Sequence, residues 1–284
     1  EMGSTFKAFT TAMALDSGLV KMTDSFDARG SIRIGGFTIK DFHGKNRVLS
    51  VPEIFIYSSN IGTARMADMV GIPGHKEFLT RLGLLTRMHT ELPEVATPNQ
   101  PSEWKKINSI TISFGHGVST TPLQTAVAAA ALMNGGKLIE PTFLPRSAED
   151  AARIAVPVIQ PSTSQYMRDL MKLNATKGSG GSGSRAAVEG FRVGGKTGTA
   201  EKVVNGRYSS AVRFNAFLSA FPIDNPDYVV LVVIDEPKPE EGMHSATAGL
   251  NAAPTVGAII RRSAAFLGVK PRFGNDMQAL SLSY

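Results

Sequence analysis

Apolar residues recur at helical spacing over residues 4–17, at Phe6, Phe9, Ala12, Met13 and Leu15, and Gly18 stands where such a helix would stop. A turn-rich stretch with little periodicity follows. Ser50-Val51-Pro52-Glu53 then reads as a helix start, with a capping box and an early proline, and the short helix runs into Tyr57-Ser58-Ser59-Asn60. Two further helices are predicted over 61–70 and 75–82, stopping at Gly71 and Gly83. Thr121-Pro122 opens an alanine-rich helix that ends near Asn134 at Gly135-Gly136. The first half is therefore read as largely helical.

Beyond about residue 155 the pattern changes. A helix near 162–173 precedes GSGGSGS at 178–184, which reads either as a flexible linker or as a loop, with regular structure resuming at once beyond it. Residues 191–204 read as a strand, Asn205-Gly206 as a hairpin turn, 213–221 and 228–235 as two more strands, and 253–267 as a closing helix. Hairpin-paired strands followed by a helix predict an α/β (α+β) architecture, an antiparallel sheet with helices packed on it.

Composition narrows the chemistry. The chain has 284 residues and no cysteine, which excludes disulfides, thiol catalysis and thiolate metal sites. Its five histidines show no metal-ligand spacing, so no metal is expected. The net charge of +6 suits an anionic polymer or environment, or simply a solvated face. No basic cluster is interleaved with aromatics, which argues against nucleic acid. The longest apolar runs, at 125–133 and 228–234, are too short to span a membrane; no signal peptide is read in these residues, and a segment for export or anchoring would be expected upstream of them.

Three motifs occur in order: STFK at 4–7, SSN at 58–60 and KTGT at 196–199. Singly they mean little, since a chain of this length holds roughly one Ser-x-x-Lys by chance. A second copy at Ser102–Lys105 lies in an Asn/Pro/Gln loop after SSN and reads as structural. The ordered set, each member at a predicted element boundary, is the known signature of penicillin-binding proteins and class A β-lactamases. A serine needs a base to become a nucleophile, and a lysine serves only if burial or a second cation lowers its pKa. Ser4 and Lys7 lie one turn apart, and Lys196 would bring that second cation. Ser58 with Lys196 would relay a proton to the leaving amine. Asn60 would hold Lys7 and a substrate carbonyl, and Thr197 and Thr199 would grip a substrate carboxylate. Backbone N–H groups at Ser4 and Thr199 would receive the oxyanion, and Gly194, Gly195 and Gly198 would let a substrate backbone approach. Without catalysis, the same residues would be a helix cap, a turn and a polar strand end.

Five stretches, MGSTFK, IKDFH (39–43), VPEIFIYSSNIGTARMA (51–67), SFGHGVSTTPLQ (113–124) and RVGGKTGTAEK (192–202), resemble class B penicillin-binding proteins of the division-specific, FtsI-like type. The resemblance covers nearly the whole chain. It implies the penicillin-recognising serine-transferase fold, a helical lobe (about 18–153) against a sheet-plus-helix part (about 155–268), with a five-stranded antiparallel sheet. It also implies a D,D-transpeptidase that forms an acyl-enzyme at Ser4 from a D-Ala-D-Ala stem peptide. Catalytic Ser4, Lys7, Ser58, Asn60 and Lys196 and substrate-binding Thr197, Gly198 and Thr199 carry over, without a cofactor. Peptidoglycan donor and acceptor strands, β-lactams, a membrane glycosyltransferase and other division proteins are the implied partners. The implied location is the periplasmic face of the bacterial inner membrane. A helix and two strands of the sheet, a pedestal domain and a membrane anchor are expected upstream of the serine helix.

The chain departs from that family where aromatics often wall the site: it reads Gly242-Met243-His244-Ser245-Ala246, and His244 is given no role. Tyr208 is either a rim residue or hairpin surface. Rival readings are a β-lactam hydrolase or penicillin sensor, a D,D-carboxypeptidase, and an inactive scaffold. SSN replaces the Ser-x-Val typical of oxacillinase-type enzymes and sensors, and Glu91–Glu94 does not match the deacylating Glu-x-x-Leu-Asn of class A hydrolases.

Overall fold

A computed structural model describes residues 1–204, 206–239, 242 and 245–273. Asn205, Met243 and His244, singled out above, lie outside the described residues. A one-turn 3-10 helix, Gly3–Phe6, runs directly into α1, Lys7–Asp16. Every residue of α1 from Lys7 to Leu15 is buried, so the helix is a central strut with no solvent face. Phe6, Phe9 and Met13 pack in the larger core cluster with Ile54, Phe55, Leu79, Leu132 and Met171.

The turn-rich stretch forms two small antiparallel ribbons. One pairs β1, Ser25–Asp27, with β4, Val48–Ser50, and the other pairs β2, Ile32–Ile34, with β3, Phe37–Ile39. The predicted capping box is present at α2, Val51–Ile56, where Ser50 and Glu53 cap each other. Then α3 spans Asn60–Arg81. The break expected at Gly71 is there: its backbone is non-helical, with φ 78° and ψ 168°, so two helical segments meet at a kink within this range. α4, Lys106–Ser113, has no forerunner in the sequence reading; α5, Pro122–Met133, is capped by Thr121 as expected. A two-residue ribbon, β5 (Lys137–Leu138) with β6 (Val156–Pro157), brackets the exposed helix α6, Ala148–Ile154.

Helix α7, Pro161–Ala175, leads into the GSGGSGS stretch, which is no linker. Asn174 at the end of α7 receives the Ser182 N–H on its Oδ1 at 3.1 Å and donates its Nδ2 to Gly195 O at 2.7 Å. The loop is thereby stapled between α7 and the sheet. That sheet is β7 (Gly194–Val204), β8 (Arg207–Phe221) and β9 (Tyr228–Asp235), antiparallel in sequence order. It has three strands among the described residues, where the family resemblance implies five. Strand β8 starts six residues before the predicted 213, and Val204 pairs with Arg207 across the turn, as a two-residue hairpin requires.

Alternation along β8 makes two cores. Leu218 and Ala220 face the helical lobe in the larger cluster, while Phe217 and Phe221 face α8, Ala252–Ser263, in a second one. The sheet is thus covered on both faces, and β7 is its edge toward the serine turn. Among the described residues no helix is long and apolar enough to cross a membrane.

Candidate active site

Three segments distant in sequence converge at the junction of α1, α2 and β7. Lys196 is paired with Leu218 across the sheet, and cross-strand partners share a face, so its side chain enters the helical lobe. There Lys196 is completely buried and Lys7 all but so, at 0% and 1% exposure. Both amines meet one hydroxyl. Lys7 Nζ donates to Ser58 Oγ at 3.0 Å and to Ser58 O at 2.6 Å; Lys196 Nζ donates to Ser58 Oγ at 2.9 Å and to Thr197 O at 3.2 Å.

The backbone at Ser58 is left-handed, with φ 57°, a region that costs a side-chain-bearing residue about 1–3 kcal/mol. The ends of α2 and α3 impose it. Ser58 N–H and Ser59 N–H cap α2 at Phe55 O and Ile54 O, and the Ser59 hydroxyl caps α3 at Gly62 N–H, 2.9 Å away. This turn aims the Ser58 hydroxyl at the lysines.

Burial is the main cause of both lysines' altered basicity. It pulls Lys196 down to about 7. Lys7 falls well below the ordinary lysine value, first through burial and then through the neighbouring Lys196, with Asp41 acting in the opposite direction. A lysine neutral near pH 7 can accept a proton, which an ordinary surface lysine cannot.

The predicted residues are not all disposed as expected. Ser4 is half-buried in the 3-10 turn, whose geometry aligns positions i and i+3. The Lys7 amine is nevertheless directed at Ser58 rather than hydrogen-bonded to Ser4. Asn60 does not hold Lys7: its amide donates to Lys40 O at 2.9 Å, leaving its second N–H and its carbonyl for another partner. Thr197 Oγ1 shares a hydrogen bond of 2.6 Å with Ser182 Oγ. Thr199 Oγ1 accepts the Ala248 N–H at 3.1 Å, which leaves its own proton for an anion. Gly198 lies flat on the serine turn; a Cβ there would come within 2.5 Å of Met2 O and 2.9 Å of Thr5 N.

Sequence reasoning missed several supporting residues. Asp41 accepts from Ser59 Oγ at 2.7 Å and from Ile61 N–H at 2.9 Å, fixing the SSN turn from the side. It lay within the IKDFH resemblance, but no spacing rule pointed to it. Ser182, in the apparent linker, and Asn174 carried no signal.

Residues 1–261 match the family model described as the penicillin-binding protein transpeptidase domain. The chain is 42% identical over 279 residues to the probable peptidoglycan D,D-transpeptidase FtsI of Caulobacter vibrioides, covering 95% of this chain and 47% of that protein. It is 37% identical to the probable peptidoglycan D,D-transpeptidase PenA of Neisseria flavescens, covering 95% of this chain and 66% of the relative. The chain thus spans about half to two thirds of these curated relatives. Among solved structures, the apo transpeptidase domain of Burkholderia pseudomallei penicillin-binding protein 3 superposes with a TM-score of 0.87 at 30% identity, covering 96% of this chain and 81% of that one. Penicillin-binding protein 3 of Mycobacterium tuberculosis, complexed with ampicillin, gives a TM-score of 0.85 at 25% identity, covering 97% and 64%. With its motifs, its fold and these likenesses in agreement, the chain belongs to the penicillin-binding protein transpeptidase domain family.

Proposed function

We propose that this chain is the catalytic part of a peptidoglycan D,D-transpeptidase of the septal type. The observation that carries the reading is the Ser58 hydroxyl held by two fully buried amines, on Lys7 and Lys196, next to the Ser4 turn. Such an arrangement costs desolvation free energy that a purely structural serine turn would not require.

In the proposed reaction Ser4 Oγ attacks the carbonyl between the two D-alanines of a donor stem peptide, and its proton passes to Lys7. The N–H groups of Ser4 and Thr199 stabilise the oxyanion. The amide C–N bond then breaks, the departing D-alanine takes a proton relayed through Ser58 with Lys196, and an ester remains on Ser4. An amine on a neighbouring strand attacks that ester, and Ser4 recovers its proton. Thr197 and Thr199 hold the donor carboxylate beside Lys196, Asn60 holds a donor carbonyl, and Gly198, expected to admit the donor backbone, instead lets β7 lie against the serine turn.

The domain assignment belongs to the same proposal. Residues 1–284 form one transpeptidase domain, with a helical lobe over about 18–153 and a sheet part over about 155–268, and the pedestal and membrane anchor lie upstream. The enzyme then works at the periplasmic face of the inner membrane, with a glycosyltransferase and other division proteins as partners. β-Lactams are its covalent inhibitors.

Intact-mass spectrometry after mixing with benzylpenicillin tests the reading, with Ser4→Ala as control. A single adduct that lasts for hours and is missing from the control is expected. Rapid clearance with consumption of the penicillin would replace it with the hydrolase reading, and no adduct on folded protein would sink both.

A further inference from the structure

Gly3, next to Ser4, is squeezed between two other segments. A Cβ on Gly115 would lie 2.0 Å from Gly3 O, and a Cβ on Gly3 would lie 3.0 Å from Ala200 Cβ and 3.2 Å from the Thr199 carbonyl carbon. The SFGHG loop, the serine turn and β7 therefore touch backbone to backbone. Such contact sets how closely the segments approach but does not stop them sliding or opening.

Two residues farther out, side chains join the same regions again. Gly117 N–H donates to Glu1 Oε1 at 2.8 Å. The Tyr208 hydroxyl donates to the same carboxylate, at 3.1 and 3.2 Å from its two oxygens. Tyr208 stands on β8 opposite Val203 of β7, and its ring stacks on His116 with centroids 5.1 Å apart and planes at 21°. His116 in turn rests edge-on against Phe114 at 5.5 Å. The contacts close a ring through Glu1, Gly117, His116 and Tyr208.

The ladder between β7 and β8 shifts register at Glu201/Lys202, so the hairpin beyond it is a separate lever. On its far side Lys202 ties that lever to Asp235 and Glu236. On the cleft side the tie is Tyr208. The geometry points to Glu1, Tyr208 and His116 as positioning residues that clasp the hairpin to the serine turn and so fix the gap between Ser4 and the Thr199 end of β7. This rests on the reading of Ser4 as nucleophile and Thr199 as its oxyanion partner. Tyr208, 46% exposed, is held there by its polar end and its ring face together.

The test is the first-order acylation rate with benzylpenicillin in the full-length protein, for Tyr208→Phe, Glu1→Gln and the double variant, with thermal melting alongside. Tyr208→Phe keeps the stack and removes one hydrogen bond; Glu1→Gln keeps the shape and weakens the same bond. Each single change should slow acylation about tenfold, since small misplacements of reacting groups are costly in rate. The double variant should be no slower than the slower single, because both act on one contact. Melting temperature and the affinity of the initial complex should move little. Unchanged acylation, losses that multiply, or losses that track melting would overturn the clasp. A wild type that is not acylated at all would overturn the nucleophile assignment as well.

Discussion

Lys7 and Lys196 reach the Ser58 hydroxyl from a helix and a strand, at 3.0 and 2.9 Å, and neither amine is open to solvent. Two ammonium groups on one hydroxyl would repel in a medium that screens poorly, so at least one amine is held neutral near pH 7. That requirement makes the site testable.

Lys7→Met and Lys196→Met should each lower the acylation rate by a factor of about 100 or more, in the range found for loss of a general acid or base. The fold should survive, because a buried amine is replaced by an apolar chain of similar length. Circular dichroism with stopped-flow acylation checks both points, and near-normal acylation in either variant would remove its assigned role.

The folded chain should gain stability as pH rises from neutrality. Lys196 has its pKa pulled down to about 7 when folded, and Lys7 is shifted in the same direction. Unfolded lysines titrate at about 10.4. Between the two values the unfolded chain binds protons that the folded chain does not, so the free energy of unfolding climbs with pH, by at most about 1.4 kcal/mol per unit for each such group. The slope vanishes above the unfolded value and, for Lys196, below about 7. Urea midpoints at pH 7 and 9 measure it, with Lys196→Met flattening the difference. An equal slope in that variant would contradict the burial effect.

Asp41→Asn removes a neighbouring charge that raises the Lys7 pKa. The ascending limb of the acylation–pH profile should therefore move to lower pH. Asp41→Ala should in addition cost about 1–3 kcal/mol, because the Ser59 hydroxyl and the Ile61 N–H lose their acceptor. A profile that stays in place would show that the carboxylate acts on geometry alone.

At Ser58 the comparison of interest is between glycine and alanine. Both remove the hydroxyl, but only alanine keeps the left-handed backbone cost at φ 57°. Ser58→Gly should be more stable than Ser58→Ala by about 1 kcal/mol in chemical denaturation, while both lose acylation. Equal stabilities would mean that the turn relaxes in the variants.

What could be read along the chain was what depends on neighbours in sequence. The Ser50–Glu53 capping box, the Thr121 cap of α5 and the three long strands are set by local hydrogen bonding and by periods of 3.6 and 2. Helix α4 and the start of β8 lacked that signal. Residues 106–113 mix polar and apolar side chains, and the first part of β8, Arg207-Tyr208-Ser209-Ser210, is largely polar in sequence and pairs with the end of β7. The loop at 178–184 looked free because its anchors, Asn174 and Thr197, are tied to it by hydrogen bonds that composition does not reveal. In the site, the motifs named Ser58, Lys7 and Lys196, but the pairs join residues 51 and 138 positions apart. Motif order predicted that they meet. That Asn60 turns to Lys40 and that Asp41 braces the turn depends on the fold around the 40–41 loop, which no spacing encodes.

Strand β9 is the last in the order β7-β8-β9, so among the described residues its outer row of amide and carbonyl groups pairs with no other strand. The row runs through Tyr-Val-Val-Leu-Val-Val-Ile, half-buried side chains with high strand propensity and no charge until Asp235. An edge of that kind is a template for any extended chain that meets it. The colloidal behaviour of a preparation of these residues alone therefore hangs on this strand: self-association should grow steeply with concentration, as light scattering over a dilution series would measure.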